Sequence, residues 1–204
     1  MDNLKEILEK AKSAFGAKDY HTAFEIWKSL AEQRNAEAQF NLGGMYSYGR
    51  GVKLNHKKAI KWYLLSAEQG DAKAQYNLGL MYYNGLGVPQ DYKEAVKWWE
   101  LAGEQGNAEA QINLGRMYAN GRGVPQDYKE AVKWWELAGE QGNAEAQINL
   151  DLLLKETGYT EAQSNLIIFE EEEKGDSAAQ SILDLLLKKK GFWKRVKGIF
   201  GQSN

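Results

Sequence analysis

The chain has 204 residues, of which 43% are apolar and 26% are charged, and this balance argues against a disordered chain. A net charge of −2 argues against the basic surface typical of nucleic-acid-binding proteins. Because the sequence contains no cysteine, disulfides, thiol nucleophiles and thiolate metal sites are excluded.

The first 35 residues are predicted to form a helix hairpin. Leu4, Leu8 and Phe15 follow a helical stripe, Gly16 interrupts it, and Asp19 can cap a second helix. The start lacks the apolar segment of a secretory signal, so we expect a cytoplasmic protein, or a periplasmic one if a leader has been removed. No run of residues approaches the ~18 consecutive apolar residues of a membrane span.

The central part of the chain repeats with a period of 36 residues. Each unit contains two helical patterns separated by a turn with the sequence Gly-x-Gly-Val. Such units bury their apolar faces only against neighbouring units, so the period predicts a stacked, all-α solenoid. The predicted units are 36–71, 72–107 and 108–143, and they follow an N-terminal hairpin at 1–35.

Glycine ends the second helix of each full unit. Gly70 and Gly106 can adopt the left-handed conformation that closes a helix, and Asp71 and Asn107 are residues that cap the next one. Arg34 stands where those units have glycine. We therefore expect the first junction to be looser or differently bent.

The repeated segment A-x-A-Q-x-N-L-G-x-M-Y-x-x-G-x-G-V, followed by D-Y-x-x-A-x-x-W, resembles the Sel1-like repeat, a relative of the tetratricopeptide repeat. The resemblance implies a right-handed α-solenoid of antiparallel helix hairpins. It also implies an adaptor surface rather than a catalyst.

The repeat pattern weakens after Leu150 but continues. AEAQINLDLLLKETGY returns as SAAQSILDLLLKKKGF without the Gly-x-Gly-Val-Pro turn. We predict a shortened repeat at 144–176 and a terminal half-repeat with a cap helix at 177–204, which makes 1–204 a single repeat domain.

The last predicted helix is basic and amphipathic. Phe192 and Trp193 lie on its apolar face, and Lys194, Arg195 and Lys197 lie on its charged face. Such a helix can contact anionic lipid or a partner, or it can cap the solenoid. We favour the cap because the stretch is short for membrane binding on its own.

Residues 79–114 and 115–150 differ at three positions only, and these differences indicate a binding surface. The differences are Leu80/Arg116, Tyr83/Ala119 and Leu86/Arg122. An exchange of this kind at a packed position would cost roughly 3 kcal/mol or more, so we predict that the changed positions face solvent or a partner. The alternative is neutral drift after a recent duplication.

By resemblance to tetratricopeptide arrays, the changed side of the first helices lines a concave groove. Its lining passes from aromatic and aliphatic to cationic, which fits a protein or peptide with an apolar anchor followed by acidic groups. The predicted binding residues are Phe40, Asn41, Tyr48, Lys73, Tyr76, Asn77, Leu80, Tyr83, Asn84, Glu109, Ile112, Asn113, Arg116 and Asn120.

One asparagine recurs beside this stripe in every unit. In related arrays an asparagine here can bond the backbone of an extended ligand, and an amide offers both a donor and an acceptor for that task. The alternative is that each amide ties one repeat to its neighbour. The residues are Asn41, Asn77, Asn113 and Asn149.

The remaining conspicuous residues predict structure rather than chemistry. Tyr63, Trp99 and Trp135 have the spacing of interhelix packing, so we place them in the core. His21 and His56 are isolated from other candidate ligands. No nucleophile, base and orienting group occur together, so we predict no metal, no cofactor and no enzyme activity.

We therefore expect a monomeric, non-catalytic adaptor that binds a protein or peptide through its groove. One alternative is an immunity or inhibitor protein that binds and neutralises a bacterial toxin or effector. The other is a peripheral membrane scaffold anchored by its C-terminal helix. Nucleic acid is not an expected partner.

Overall fold

The computed structural model of this chain describes residues 2–157. The cap helix, the half-repeat at 177–204 and most of the shortened repeat at 144–176 lie outside these residues, so their predicted structure stays a prediction. The described part contains nine helices: α1 Asp2–Gly16, α2 Tyr20–Glu32, α3 Ala36–Tyr48, α4 His56–Ala67, α5 Ala72–Asn84, α6 Tyr92–Glu104, α7 Ala108–Asn120, α8 Tyr128–Glu140 and α9 Ala144–Thr157.

The chain divides into two compact units, Met1–Leu150 and Asp151–Asn204. Within the first unit, each helix from α1 to α7 packs against the next one along the chain. The pairs α3–α4, α5–α6 and α7–α8 pack most closely, so each 36-residue repeat is one helix hairpin. The predicted all-α solenoid of helix hairpins is confirmed.

Each 36-residue hairpin is closed by an aromatic ring of its second helix lying against a glycine of its first. Trp99 is 1% exposed and lies over Gly79, and Trp135 lies over Gly115 in the same way. The indole N–H of Trp99 donates to the carbonyl of Tyr76 at 3.2 Å. The prediction that Trp99, Trp135 and Tyr63 belong to the core is confirmed.

Successive hairpins are joined by pairs of glutamines, which we call the glutamine relay. Gln111 in α7 is 3% exposed, and its Nε2 donates to the carbonyl of Gly103 at the end of α6, at 2.9 Å. Its Oε1 accepts from Nε2 of Gln141 at 2.8 Å. The relay thus gives the Gly103 carbonyl, which also accepts from the Gly106 N–H at 2.9 Å, a second donor. It recurs twice, through Gln39 with Gln69 and Gln75 with Gln105.

The first junction keeps the geometry of the later ones, which corrects the expectation stated for it. Arg34 adopts a φ of +66°, the left-handed conformation that Gly106 adopts with a φ of +86°. The next amide closes the helix identically, because Asn35 N donates to the Leu30 carbonyl at 3.0 Å. The caps and packing of the two helices impose this backbone on a residue that does not favour it.

Candidate functional site

A cavity of about 230 Å³ lies between α5, α6 and α7. We call it the α5–α7 cavity. Three adjacent helices and one turn contribute its lining, which combines apolar, amide and cationic side chains. The lining residues are Leu80, Tyr83 and Asn84 of α5, Trp99 of α6, Asn113, Arg116, Met117 and Asn120 of α7, and Arg122 of the following turn.

Two guanidinium groups give the α5–α7 cavity its cationic character. Arg116 is about half exposed and pairs with Glu145 through its Nη2. Arg122 is exposed, and its Nη1 donates to the Tyr83 hydroxyl at 3.2 Å. A planar guanidinium can donate two parallel hydrogen bonds to a carboxylate, so both groups suit an acidic guest.

The position of Arg122 depends on the turn that holds it. Its backbone N–H donates to the carbonyl of Met117 at 3.0 Å, which ties the turn to the last part of α7. The adjacent Gly123 lies against the start of α6, because a Cβ added there would be 2.6 Å from the carbonyl carbon of Tyr92. This contact places the Arg122 side chain at the edge of the preceding unit.

Aromatic and aliphatic side chains form the apolar part of the cavity. The ring of Tyr83 packs against those of Tyr92 and Trp99, with centroids 5.3 and 5.5 Å apart. Met117 is 2% exposed and Leu80 is half-buried. An apolar side chain of a guest would therefore meet a rigid, largely dehydrated surface.

The amides of the cavity have different partners. Asn84 Nδ2 donates to the Leu80 carbonyl, and Asn120 Nδ2 donates to the Arg116 carbonyl, both at 2.8 Å. The Nδ2 groups of both amides thus donate within their own helices. The Oδ1 atoms are therefore the ones that can accept a hydrogen bond from a guest.

Asn113 instead links two repeats, because its side chain hydrogen-bonds the phenol of Tyr76. Burial raises the pKa of that phenol, the nearby Glu109 raises it further, and the bond to Asn113 opposes both effects. Asn41 bonds its own helix at the Glu37 carbonyl, at 2.9 Å. Two roles were considered for the recurring asparagine, which were bonding a ligand and tying one repeat to its neighbour. The contact of Asn113 with Tyr76 agrees with the second role.

The structure brings six of the predicted binding residues together and leaves the others elsewhere. The six that line the α5–α7 cavity are Leu80, Tyr83, Asn84, Asn113, Arg116 and Asn120. Phe40, Asn41, Tyr48, Lys73, Tyr76, Asn77 and Glu109 are half-buried or exposed but do not line it.

Ile112 does not lie on an open surface, contrary to the prediction. It is only 1% exposed, although it occupies the same repeat position as the half-buried Tyr76. Its equivalent in α9, Ile148, is 57% exposed, so residue type alone does not decide burial at this position. Ile112 belongs to the core because it lies within the packing of α7 and α8, where its carbonyl accepts from the Trp135 indole N–H at 3.1 Å.

The expectation that every changed position is open also needs correction. Arg116 is exposed, but Leu80 and Tyr83 are half-buried and pack against the core cluster around Trp99. These two residues lie at the rim of the packing, so one side of each contacts the core while the other lines the cavity. An exchange such as Tyr83 for Ala119 therefore costs less than a substitution at a fully enclosed site.

Three lining residues were absent from the predicted set. Arg122 lies just beyond the helix-ending Gly121, so helical periodicity does not reveal it, although it is one of the three changed positions. Trp99 is predicted to belong to the core, and both Trp99 and Met117 are buried there while also forming the wall of the cavity. The exchange between repeats was thus the better signal for Arg122.

A second, wider cavity of about 550 Å³ involves the ends of α6 and α8. Its side chains include Glu104, Lys133, Trp134, Leu137 and Glu140. Each of these has an identical residue 36 positions earlier in the chain. This cavity is therefore part of the repeated framework and does not distinguish one unit from the next.

No helix in residues 2–157 is long and apolar enough to cross a membrane, and no group of three histidine or acidic side chains in this range could hold a metal ion. The predicted contact residues Phe192, Trp193, Lys194, Arg195 and Lys197 lie outside the described residues.

Comparisons of this chain with family models and with known proteins point to the same family. The model of the Sel1 repeat matches residues 36–71, 72–107 and 108–143. A putative sel1-like repeat-containing protein of Acanthamoeba polyphaga mimivirus is 59% identical over 39 residues. That match covers 19% of this chain and only 7% of the viral protein.

Solved structures show the same similarity over most of the chain. A Sel1 repeat protein from Oxalobacter formigenes is 35% identical with a TM-score of 0.71, and the match covers 85% of this chain and 72% of that one. A protective antigen present in uropathogenic Escherichia coli strains, which displays an SLR fold, is 32% identical with a TM-score of 0.66. Here the match covers 84% of this chain and 37% of the antigen. With three matched repeats and these structural relatives, the chain belongs to the Sel1 repeat family.

Proposed function

We propose that this protein is a non-catalytic scaffold that binds a protein or peptide in the α5–α7 cavity, through a carboxylate of the partner next to an apolar side chain. One observation carries the proposal. Of the six side chains at the positions where the duplicated blocks differ, four line this cavity: Leu80, Tyr83, Arg116 and Arg122.

The clustering favours selection for binding over neutral drift. Leu80 and Arg116 lie 36 residues apart in sequence, and Tyr83 and Arg122 lie 39 apart, and drift has no reason to place these four side chains around one space. Meanwhile the exposed Lys93 and Glu104 recur unchanged in the next repeat.

The family supports the general class of function. Sel1 repeat proteins are generally non-catalytic scaffolds for protein interactions. A scaffold needs a surface with apolar groups that hold a partner and polar groups that orient it. Aromatic and arginine side chains carry much of the binding energy at interfaces. Trp99, Tyr83, Arg116 and Arg122 supply both residue types in one place.

The experiment measures binding of a capped peptide that carries a leucine close to a single glutamate, and of the same peptide with glutamine instead. Arg116→Glu and Arg122→Glu should each weaken binding of the glutamate peptide by about tenfold or more. Lys93→Glu makes the same charge change at an exposed position outside the cavity and should leave binding unchanged. Equal binding by all three variants would refute the proposal.

The inhibitor alternative concerns the identity of the partner rather than the surface. If the partner is an enzyme, a stoichiometric complex should abolish its activity, and Arg116→Glu should restore it. The membrane alternative depends on Phe192, Trp193 and the nearby basic residues. Liposome sedimentation of the protein with and without residues 188–200 tests it, and equal pelleting of both forms rejects it.

A further inference from the structure

One of the two guanidinium groups of the α5–α7 cavity already has an acidic partner within the chain. Arg116 Nη2 donates to Glu145 Oε1, and both side chains are 47% exposed. Glu145 lies in the first turn of α9, where Asn143 Oδ1 accepts from the Glu145 N–H at 3.0 Å. The helix cap therefore holds the Glu145 carboxylate near Arg116.

The preceding repeat lacks this pair. The residues that correspond to Arg116 and Glu145 there are Leu80 and Glu109, and leucine offers no charge to the carboxylate. Compared with Leu80, Arg116 therefore adds a cation to the cavity and gives the recurring glutamate a partner. Two guanidinium groups and one carboxylate leave a single net positive charge at this end of the cavity.

Building on the proposed function, we propose that Glu145 is an internal competitor for the partner's acidic group. In the free protein the Glu145 carboxylate pairs with the Arg116 guanidinium. In the complex the carboxylate of the partner pairs with Arg116 instead of Glu145. One exposed ion pair is exchanged for another, so the competition lowers affinity modestly, by about two- to fivefold.

The exchange has two consequences for recognition. Because only one net positive charge is available, the cavity suits a single carboxylate better than a dianionic group. In addition, an ion pair broken on binding offsets the salt sensitivity of the pair that forms, so affinity should depend weakly on ionic strength. Removing the charge of Glu145 should strengthen both binding and its salt dependence.

The test uses the same capped glutamate peptide as probe and follows the indole N–H resonance of Trp99, which lines the cavity. Glu145→Gln should tighten binding about two- to fivefold and steepen its salt dependence. Glu109→Gln is the matched control, because it removes the same charge at the same repeat position, where the residue equivalent to Arg116 is Leu80. This variant should bind like the unchanged protein.

The outcomes separate the two proposals. If Arg116→Glu weakens binding but Glu145→Gln binds no tighter than the unchanged protein, the competitor role is wrong and the proposed function stands. If Glu145→Gln and Glu109→Gln tighten binding equally, the effect is general electrostatics, and the competitor role is again wrong. If Arg116→Glu binds the peptide normally, the proposed function itself fails.

Discussion

Trp99 approaches Gly79 so closely that a Cβ added to the glycine would lie 2.3 Å from the indole Nε1. The contact joins the two helices of one hairpin, and the same indole donates to the backbone of α5. Because Trp99 also forms a wall of the α5–α7 cavity, this contact connects the packing of the repeat with the shape of the binding site.

Gly79→Ala should destabilise the protein by about 1–3 kcal/mol, because the added methyl group forces the buried indole of Trp99 to move. The better helix propensity of alanine offsets this by at most about 1 kcal/mol. Urea unfolding followed by circular dichroism measures the change. Gly139→Ala is the control, because a Cβ there meets nothing within 4 Å. This substitution should stabilise the helix, since alanine has the better helix propensity. Similar effects from both substitutions would show that the close approach is unimportant.

Gln111→Ala should destabilise the protein by about 1–3 kcal/mol, because it removes the donor to the Gly103 carbonyl and the acceptor for Gln141. Gln141→Ala should have a smaller effect, since its side chain is exposed. Urea unfolding of both single variants and the double variant gives the coupling free energy between the two side chains. The double variant should lose less stability than the sum of the two single losses, and the difference should be smaller than the loss caused by Gln111→Ala alone. Additive effects would mean that the two glutamines act independently.

Arg34→Gly should stabilise the protein by about 1 kcal/mol, because glycine removes the strain of a left-handed residue at the first junction. Thermal unfolding should therefore shift to higher temperature. The reciprocal change, Gly70→Arg, tests the same conformation in the next unit, where a Cβ would meet nothing within 4 Å. It should lower the melting temperature, and an unchanged value would indicate that the junction adapts.

Stability should fall as the pH rises from about 10 to about 12, in part because of Tyr118. Burial raises the pKa of its phenol to about 12, and the hydrogen bond to Glu100 adds to this effect. The unfolded chain loses this proton near pH 10, so the contribution is complete below that pH and is lost as the folded pKa is approached.

Tyr118→Phe should therefore flatten the dependence of the unfolding free energy on pH in this range. Urea unfolding at a series of alkaline pH values measures it. Tyr48→Phe removes a hydroxyl from a side chain that is 64% exposed and serves as the control. A pH profile that is identical for Tyr118→Phe and the unchanged protein would contradict the role assigned to Tyr118.

The helices and their ends were predictable because local sequence determines them. Asp71 and Asn107 accept from the amides that their predicted N-cap positions indicate, and Gly70 adopts the expected left-handed backbone. Arg34 was mispredicted because residue preference was given more weight than the two helices that enclose the junction. At this position the surrounding structure overrides the preference of a single residue.

Contacts between repeats were harder to predict. The partners of Gln111 lie 8 residues before it and 30 residues after it, so no local pattern indicates that this amide is buried. The burial of Ile112 is not shared by Ile148 at the same repeat position, so it depends on the neighbouring helices and not on a local pattern. The exchange of Leu80 for Arg116 did indicate the cavity, because it compares two sites in nearly identical surroundings.

The glutamine relay also determines how the array can grow. In each pair, the first glutamine donates to a carbonyl of the preceding hairpin and accepts from the second glutamine, which lies in its own hairpin, so each internal junction has the same chemistry. An additional copy of residues 108–143 inserted at such a junction would find both partners in place. The protein can thus be lengthened in whole 36-residue steps, and each step would supply a new compartment whose side chains can be varied without altering the joints.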